Sequence, residues 1–228
     1  MSAIFFYDIH IGASFNGNEK MGGRAGRAMV SYKWYRTAKG DAWRMRLETA
    51  RLVIRSLTLA DEHAFIEMAS DGSLHEIFGD CSRCHEWMGD WLREAMQLEA
   101  EGDPHRAYLA FAIERRADGR TIGSVGTSYY EDMGRVGITY FLGAQYRGQG
   151  YMAEAVRAFV RHVFAEYGVD ALFATAAQRN VASCRTLERA GFELTDTRPY
   201  RDMFDEVAEL SNFYELRRGA LSSRMRNG

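Results

Sequence analysis

The residues best placed to do chemistry are Gln145-Tyr146-Arg147-Gly148-Gln149-Gly150-Tyr151-Met152. They lie between a β-branched run, VGITYFL (136–142), and a long helical pattern, AEAVRAFVRHVFAEYG (153–168). Gly148 and Gly150 have no side chains, so a ligand can come close to the backbone N–H groups. The first N–H groups of a helix have no intrahelical acceptor, and the helix dipole adds partial positive charge there. Arg147 adds a full charge. The stretch therefore reads as an anion seat of the kind that holds phosphate. A P-loop would require Lys-Ser/Thr after the second glycine, and Tyr151-Met152 stands there instead. A dinucleotide fingerprint tolerates Ala153 at its third position, but it opens a doubly wound sheet and requires an acidic residue after the next strand. Here an antiparallel meander precedes the turn, and the next strand ends in TAAQRN.

A second pattern, Cys81-Ser82-Arg83-Cys84-His85, matches the spacing of covalent haem attachment. No signal peptide is legible, since Asp8 and His10 interrupt the apolar N-terminus and no basic region precedes it. No second Cys/His pair at metal-finger spacing accompanies the motif. It reads as a helix start, with Asp80 or Ser82 as cap and Trp87, Met88, Trp91, Leu92, Ala95 and Met96 at helical spacing. Neither metal nor haem is expected.

The elements that would position the glycine turn follow in order. RLVIRSL (51–57) reads as a strand. Thr58 and Asp61 open a helix as a capping box, and the Trp-rich helix over 82–100 follows. AYLAFAIERR and RTIGSVGTSYY read as strands joined at Asp118-Gly119. RVGITYFL (135–142) is a third strand, reached through Met133-Gly134. After the turn, Met152, Ala155, Val156, Phe159, Val160, Val163, Phe164 and Tyr167 form one apolar helical stripe, ended by Gly168. DALFATAA is the next strand, which completes a right-handed βαβ unit with parallel strands. Asn180 caps a short helix that ends at Gly191, and GFELTDT and EVAELSNFYELRR close the sheet as an antiparallel pair.

QYRGQG fits the pattern Q/R-x-x-G-x-G/A, and it resembles the acyl-coenzyme A pyrophosphate loop of the GNAT acetyltransferase superfamily. YFLGAQYRGQGYMAEA and RNVASCRTLERAGF resemble the two signature blocks of its RimJ/RimL-like branch, the ribosomal-protein N-terminal acetyltransferases. The resemblance runs from about Leu47 to Arg218. It implies a mixed α/β (α+β) fold, a mostly antiparallel sheet with a central, splayed parallel strand pair flanked by helices. The expected boundaries are a flexible N-terminal extension over 1–46, a GNAT domain over 47–218 and a C-terminal tail over 219–228. Met45 offers an alternative start of translation.

The resemblance also implies roles. Acetyl-CoA would be the co-substrate. Gln145, Arg147, Gly148, Gln149, Gly150, Tyr151 and Met152 would hold its pyrophosphate, Phe141 and Leu142 would pair with the pantetheine arm, and Asn180 would bond to its pantetheine side while capping a helix. An amine would attack the thioester directly, which needs a base for the ammonium and a donor for the departing thiolate. Many relatives use a Tyr where this chain has Leu187; the favoured branch has a Ser three residues after the Asn, which is Ser183 here. Asp202 is the candidate base, with Asp205, Glu206, Glu131 and Asp132 as alternatives. The acceptor would be a primary amine: a protein N-terminus, a polyamine or an amine-bearing small molecule. A non-catalytic acyl-CoA sensor with an N-terminal interaction arm is the alternative, and a homodimer is expected by analogy.

With no signal peptide legible, a cytoplasmic protein is expected, and the composition is that of an ordinary soluble one. Hydrophobic residues make up 46% and charged ones 26% of 228 residues, as in ordinary globular domains. The net charge of −2 gives no basic field for nucleic acid, and no apolar run is long enough to span a bilayer.

Overall fold

The structure, a computed structural model, describes residues 31–36, 43–201 and 207–220. Among these residues nine strands form a single sheet: β1 (Ser31–Arg36), β2 (Trp43–Glu48), β3 (Leu52–Ser56), β4 (Leu109–Arg115), β5 (Arg120–Tyr130), β6 (Arg135–Leu142), β7 (Ala171–Ala177), β8 (Glu193–Tyr200) and β9 (Glu209–Arg217). Their order is β1-β2-β3-β4-β5-β6-β7-β9-β8. β6 and β7 run parallel, and every other pairing is antiparallel. The expected fold class is therefore observed.

The helices are α1 (Glu62–Ala69), α2 (His75–Phe78), α3 (Cys84–Glu101), α4 (Tyr151–Glu166) and α5 (Val181–Ala190). The stripe read from the sequence is the buried face of α4: Met152, Ala155, Val156, Phe159, Val160, Val163 and Phe164 all lie in the core. That core fills the space between α4, α5 and one sheet face. Phe65, Met68, Met88, Leu92 and Ala95 of α1 and α3 pack with Ala110, Ala112 and Phe141 on the other face. Among the described residues, no helix is long and apolar enough to cross a membrane.

Three expectations change. The sheet does not begin at residue 47, because β1 and β2 pair through six registered positions and β2 pairs onward to β3. Met45 and Leu47 are buried, so β2 belongs to the core; its alternation of Trp43, Met45 and Leu47 with Arg44, Arg46 and Glu48 is a strand pattern that the expected boundary at 47 cut through. Residues 1–30 and 221–228 lie outside the described residues. α3 begins at Cys84, and neither Asp80 nor Ser82 caps it. Asp80 instead accepts from the Ser82 backbone at 2.9 Å in a local turn. Cys81 and Cys84 are buried free thiols in the α1–α3 cluster, while the His85 side chain points outward. Finally, α2 was not foreseen; a four-residue helix carries no periodic signal.

The Thr58–Asp61 capping box is present, with the Thr58 amide donating to Asp61 Oδ2 at 2.9 Å. It opens a single 3₁₀ turn, Leu59–Asp61, that leads into α1. Asp61 is buried and also binds Arg55 at 2.7 Å and Thr121 at 2.7 Å. Burial pushes its carboxyl up, but Arg55, Thr121 and the Thr58 amide outweigh that and hold it below its ordinary value.

Candidate active site

The site forms where β6 and β7 part. Their only registered pair is Gly137 with Phe173. Beyond it β6 stays paired with β5 up to Leu142, and β7 stays paired with β9 up to Ala177. The edges that face each other across the opening therefore offer peptide groups not used in a ladder. Gly137 permits this junction sterically: a Cβ there would lie 2.2 Å from Tyr130 Cε2. The Tyr130 ring packs edge-on against Phe173, with centroids 5.4 Å apart, and its hydroxyl lies 3.3 Å from Thr175 Oγ1.

At the end of β6 a 3₁₀ turn, Ala144–Tyr146, leads into the glycine loop. Gly148 and Gly150 have φ of 76° and 77°, a left-handed conformation that favours glycine. Both are exposed. Glu154 N is the first amide of α4 with an intrahelical acceptor, the Gly150 carbonyl at 3.2 Å. The amides of Tyr151, Met152 and Ala153 precede it and have no helical partner. The loop thus has the properties of an anion seat, and a diphosphate fits its donor set.

Arg147 is a brace for this loop. Its Nε donates to the Leu142 carbonyl at 3.0 Å, and Nη2 donates to Ser73 Oγ at 3.0 Å. Gln149 Nε2 closes the turn onto the Gln145 carbonyl at 3.2 Å. Phe141 is packed between Phe65 and Phe78 with its carbonyl turned toward Gly123 of β5, and Met152 is core, so neither side chain is available to a ligand; on this end of β6 it is the Leu142 backbone that faces the opening.

Sequence reasoning missed Arg51. It lies 98 positions from Gln149, whose carbonyl accepts from Nη1 at 2.9 Å. Its Nε pairs with Glu154 Oε2 at 2.7 Å, and its guanidinium lies 4.6 Å from the Tyr151 ring centroid. Glu154 Oε1 also accepts from the Arg51 amide at 2.9 Å and from Thr49 Oγ1 at 2.7 Å. Together these bonds tie the start of β3 to the first turn of α4 and set a cation beside the loop. An exposed arginine before a strand gives no local signal of such a role.

On the α5 side, Asn180 Oδ1 accepts from the Ser183 amide at 3.1 Å, the expected N-cap. Ser183 Oγ lies 2.9 Å from the hydroxyl of Tyr140 on β6, a partner that sequence reasoning also missed. Burial raises the Tyr140 phenol well above its ordinary range, so it stays protonated. Leu187 is fully buried and contributes packing only. Asp202, Asp205 and Glu206 lie outside the described residues. Glu131 and Asp132 are exposed on the turn before β6, the full length of the strand from the glycine loop. That is about 25 Å at 3.3 Å per residue.

Comparisons with known proteins agree with this geometry. The model of the acetyltransferase (GNAT) domain family matches residues 51–193. The probable N-acetyltransferase YjcK of Bacillus subtilis (strain 168) is 37% identical over 100 residues, which are 42% of this chain. The chain spans about half of that relative's length, 51%. A GNAT-family acetyltransferase from Bacillus anthracis has the same fold, with a TM-score of 0.64 at 20% identity over 76% of this chain and 98% of its own. RimL, a ribosomal L7/L12 alpha-N-protein acetyltransferase solved with coenzyme A, gives a TM-score of 0.64 at 16% identity, over 75% of this chain and 97% of its own. With the glycine loop, the splayed strands and a family match over more than half its length, this chain belongs to the GNAT acetyltransferase family.

Proposed function

We propose that the protein is an acetyl-CoA-dependent N-acetyltransferase whose acceptor is a primary amine. The observation that carries this reading is the exposed left-handed glycine loop at the N-terminus of α4, directly beside the opening between β6 and β7. The loop amides from Gly148 to Met152 take the pyrophosphate, with Gln145 at the start of the motif; the Arg147 amide, expected among them, is spent on the Ala144 carbonyl at 3.2 Å. The backbone of Leu142, rather than that of Phe141, lines the pantetheine path, and Asn180 borders it. The amine nitrogen attacks the thioester carbonyl while the carbon–sulfur bond breaks. Ser183 donates a hydrogen bond to the departing sulfur. Asp202 is the proposed base; the proton shed by nitrogen passes to it or to water. The acceptor is proposed to be a protein N-terminus, a polyamine or an amine-bearing small molecule, met in the cytoplasm, with a homodimer as the proposed assembly.

One observation favours a second reading, a non-catalytic acyl-CoA sensor: Leu187 carries no hydroxyl at the position where many relatives place a tyrosine. The test is thiol release from acetyl-CoA with a panel of amines and N-terminal peptides. Amine-dependent release is expected for at least one class. Tight acetyl-CoA binding with no release on any amine would overturn the enzyme in favour of the sensor.

A further inference from the structure

Ser183 occupies the first turn of α5, where a hydroxyl has an easy alternative to catalysis. Serine and threonine in helices donate back to the carbonyl one turn earlier. Thr186 does this in the same helix, bonding to the Ala182 carbonyl at 2.8 Å. A hydroxyl used in that way points its proton along the helix and away from any ligand. Ser183 is placed differently. Its amide is already taken by Asn180 Oδ1, and its Oγ faces the Tyr140 hydroxyl. Tyr140 reaches it from β6, three positions past the Gly137–Phe173 bridge, so the contact spans the opening between the strands. The phenol stays protonated because burial disfavours its anion. The phenol has a single proton and two acceptors on this residue: the Ser183 carbonyl lies 3.4 Å away, past the usual O–H···O range, whereas Oγ lies at 2.9 Å, and the shorter contact is the one that takes the proton. A phenol donating to Ser183 Oγ fills one serine lone pair, and the serine's own proton must then point elsewhere.

We infer that Tyr140 is a positioning residue for acetyl transfer, holding the Ser183 hydroxyl with its proton free for the departing sulfur. The inference rests on the donor role proposed for Ser183. Tyr140 exchanges no proton in the reaction. The nitrogen–carbon bond forms and the carbon–sulfur bond breaks. The electron pair leaves on sulfur, which takes up one of the protons shed by nitrogen through solvent. Tyr140 sets only the direction of the hydrogen bond that sulfur receives.

The test is a double-substitution cycle on Ser183→Ala and Tyr140→Phe, read as kcat and KM with acetyl-CoA and a working amine. One hydrogen bond lost from a preorganised donor corresponds to a fall of roughly 5- to 10-fold. Tyr140→Phe is expected to lower kcat by that factor with KM for acetyl-CoA unchanged. The double variant is expected to be no slower than Ser183→Ala alone, because Tyr140 acts through Ser183. 3-Fluorotyrosine at position 140 preserves the ring and strengthens the donor, and it is expected to keep the wild-type kcat even if the phenylalanine variant folds poorly. Multiplicative losses in the double variant, a fluorotyrosine enzyme as slow as Tyr140→Phe, or an unchanged kcat in Tyr140→Phe would each overturn the inference. So would a severe loss in Tyr140→Phe beside a near-normal Ser183→Ala, because Tyr140 would then be the donor itself. Ser183→Ala separates the two levels: if it is slow, the Tyr140 outcomes test the inference alone, and if it keeps the wild-type rate the donor role proposed for Ser183 fails and the inference falls with it.

Discussion

The glycine loop can be tested by placing a charge in it. At Gly150 the backbone has φ of 77°, so any side chain there is strained, but Asn and Asp tolerate this region better than other residues. The two have nearly the same shape, and comparing Gly150→Asn with Gly150→Asp therefore cancels the backbone cost and leaves the charge. A carboxylate about 5 Å from a diphosphate carrying about two charges is repelled by ~1.7 kcal/mol at the dielectric of water. Water is the appropriate limit because the loop is exposed. Arg51 offsets part of this, since a Cβ at position 150 would lie 3.6 Å from its Nη2. The expected result is coenzyme A binding about 5- to 20-fold weaker for Asp than for Asn at low ionic strength. Calorimetric titration at two salt concentrations measures it. The gap should shrink on adding salt, because surface charges are screened over ~8–10 Å. It should widen when Arg51→Ala is added to both variants, because the offsetting cation is gone. Equal affinities for Asp and Asn at low salt would refute the assignment of this loop to the pyrophosphate.

Three further outcomes concern stability. Gly137→Ala is expected to destabilise the fold by roughly 1–3 kcal/mol, read as a lowered Tm, since the new methyl group meets a Tyr130 ring wedged against Phe173; an unchanged Tm would refute this packing. Glu99, bonded to the Ser56 hydroxyl, has its carboxyl pushed up by burial from an ordinary 4.5 to about 7, against the pull of Ser56, Arg44 and the Met45 amide. Below pH 4.5 it is protonated folded and unfolded alike. Between pH 4.5 and 7 the unfolded chain loses the proton that the fold retains, so stability falls as pH rises, by at most ~3 kcal/mol. Glu99→Gln removes that loss, and its stability relative to the parent should climb across this window in urea melts at fixed pH; a constant difference would count against it. Buried His162 works in the opposite direction: burial lowers it to about 4, and stability falls as pH drops from 6.5 toward 4.

The amino-acid sequence by itself determined the features that depend on neighbours in the chain. The α4 stripe, the glycine turn, the Thr58–Asp61 box and the Asn180 cap all rest on contacts within about one helical turn, and each is where the residue types required it. The order of β4, β5 and β6 was legible too, because tight turns leave adjacent strands little choice but to pair. Tertiary structure decided what no local pattern encodes. Only the folded sheet inserts β9 between β7 and β8, adds β1 and β2 at the far edge, and brings Arg51 to a carbonyl 98 positions away. It also brings the Tyr140 hydroxyl to Ser183 across 43 positions. Such pairings are set by which faces pack together once the whole core closes, and an arginine or a tyrosine in a strand looks the same in sequence whether or not it has that partner. The glycine loop is therefore a local property of the chain, whereas the groups that brace it and the hydroxyl that Ser183 meets are properties of the fold.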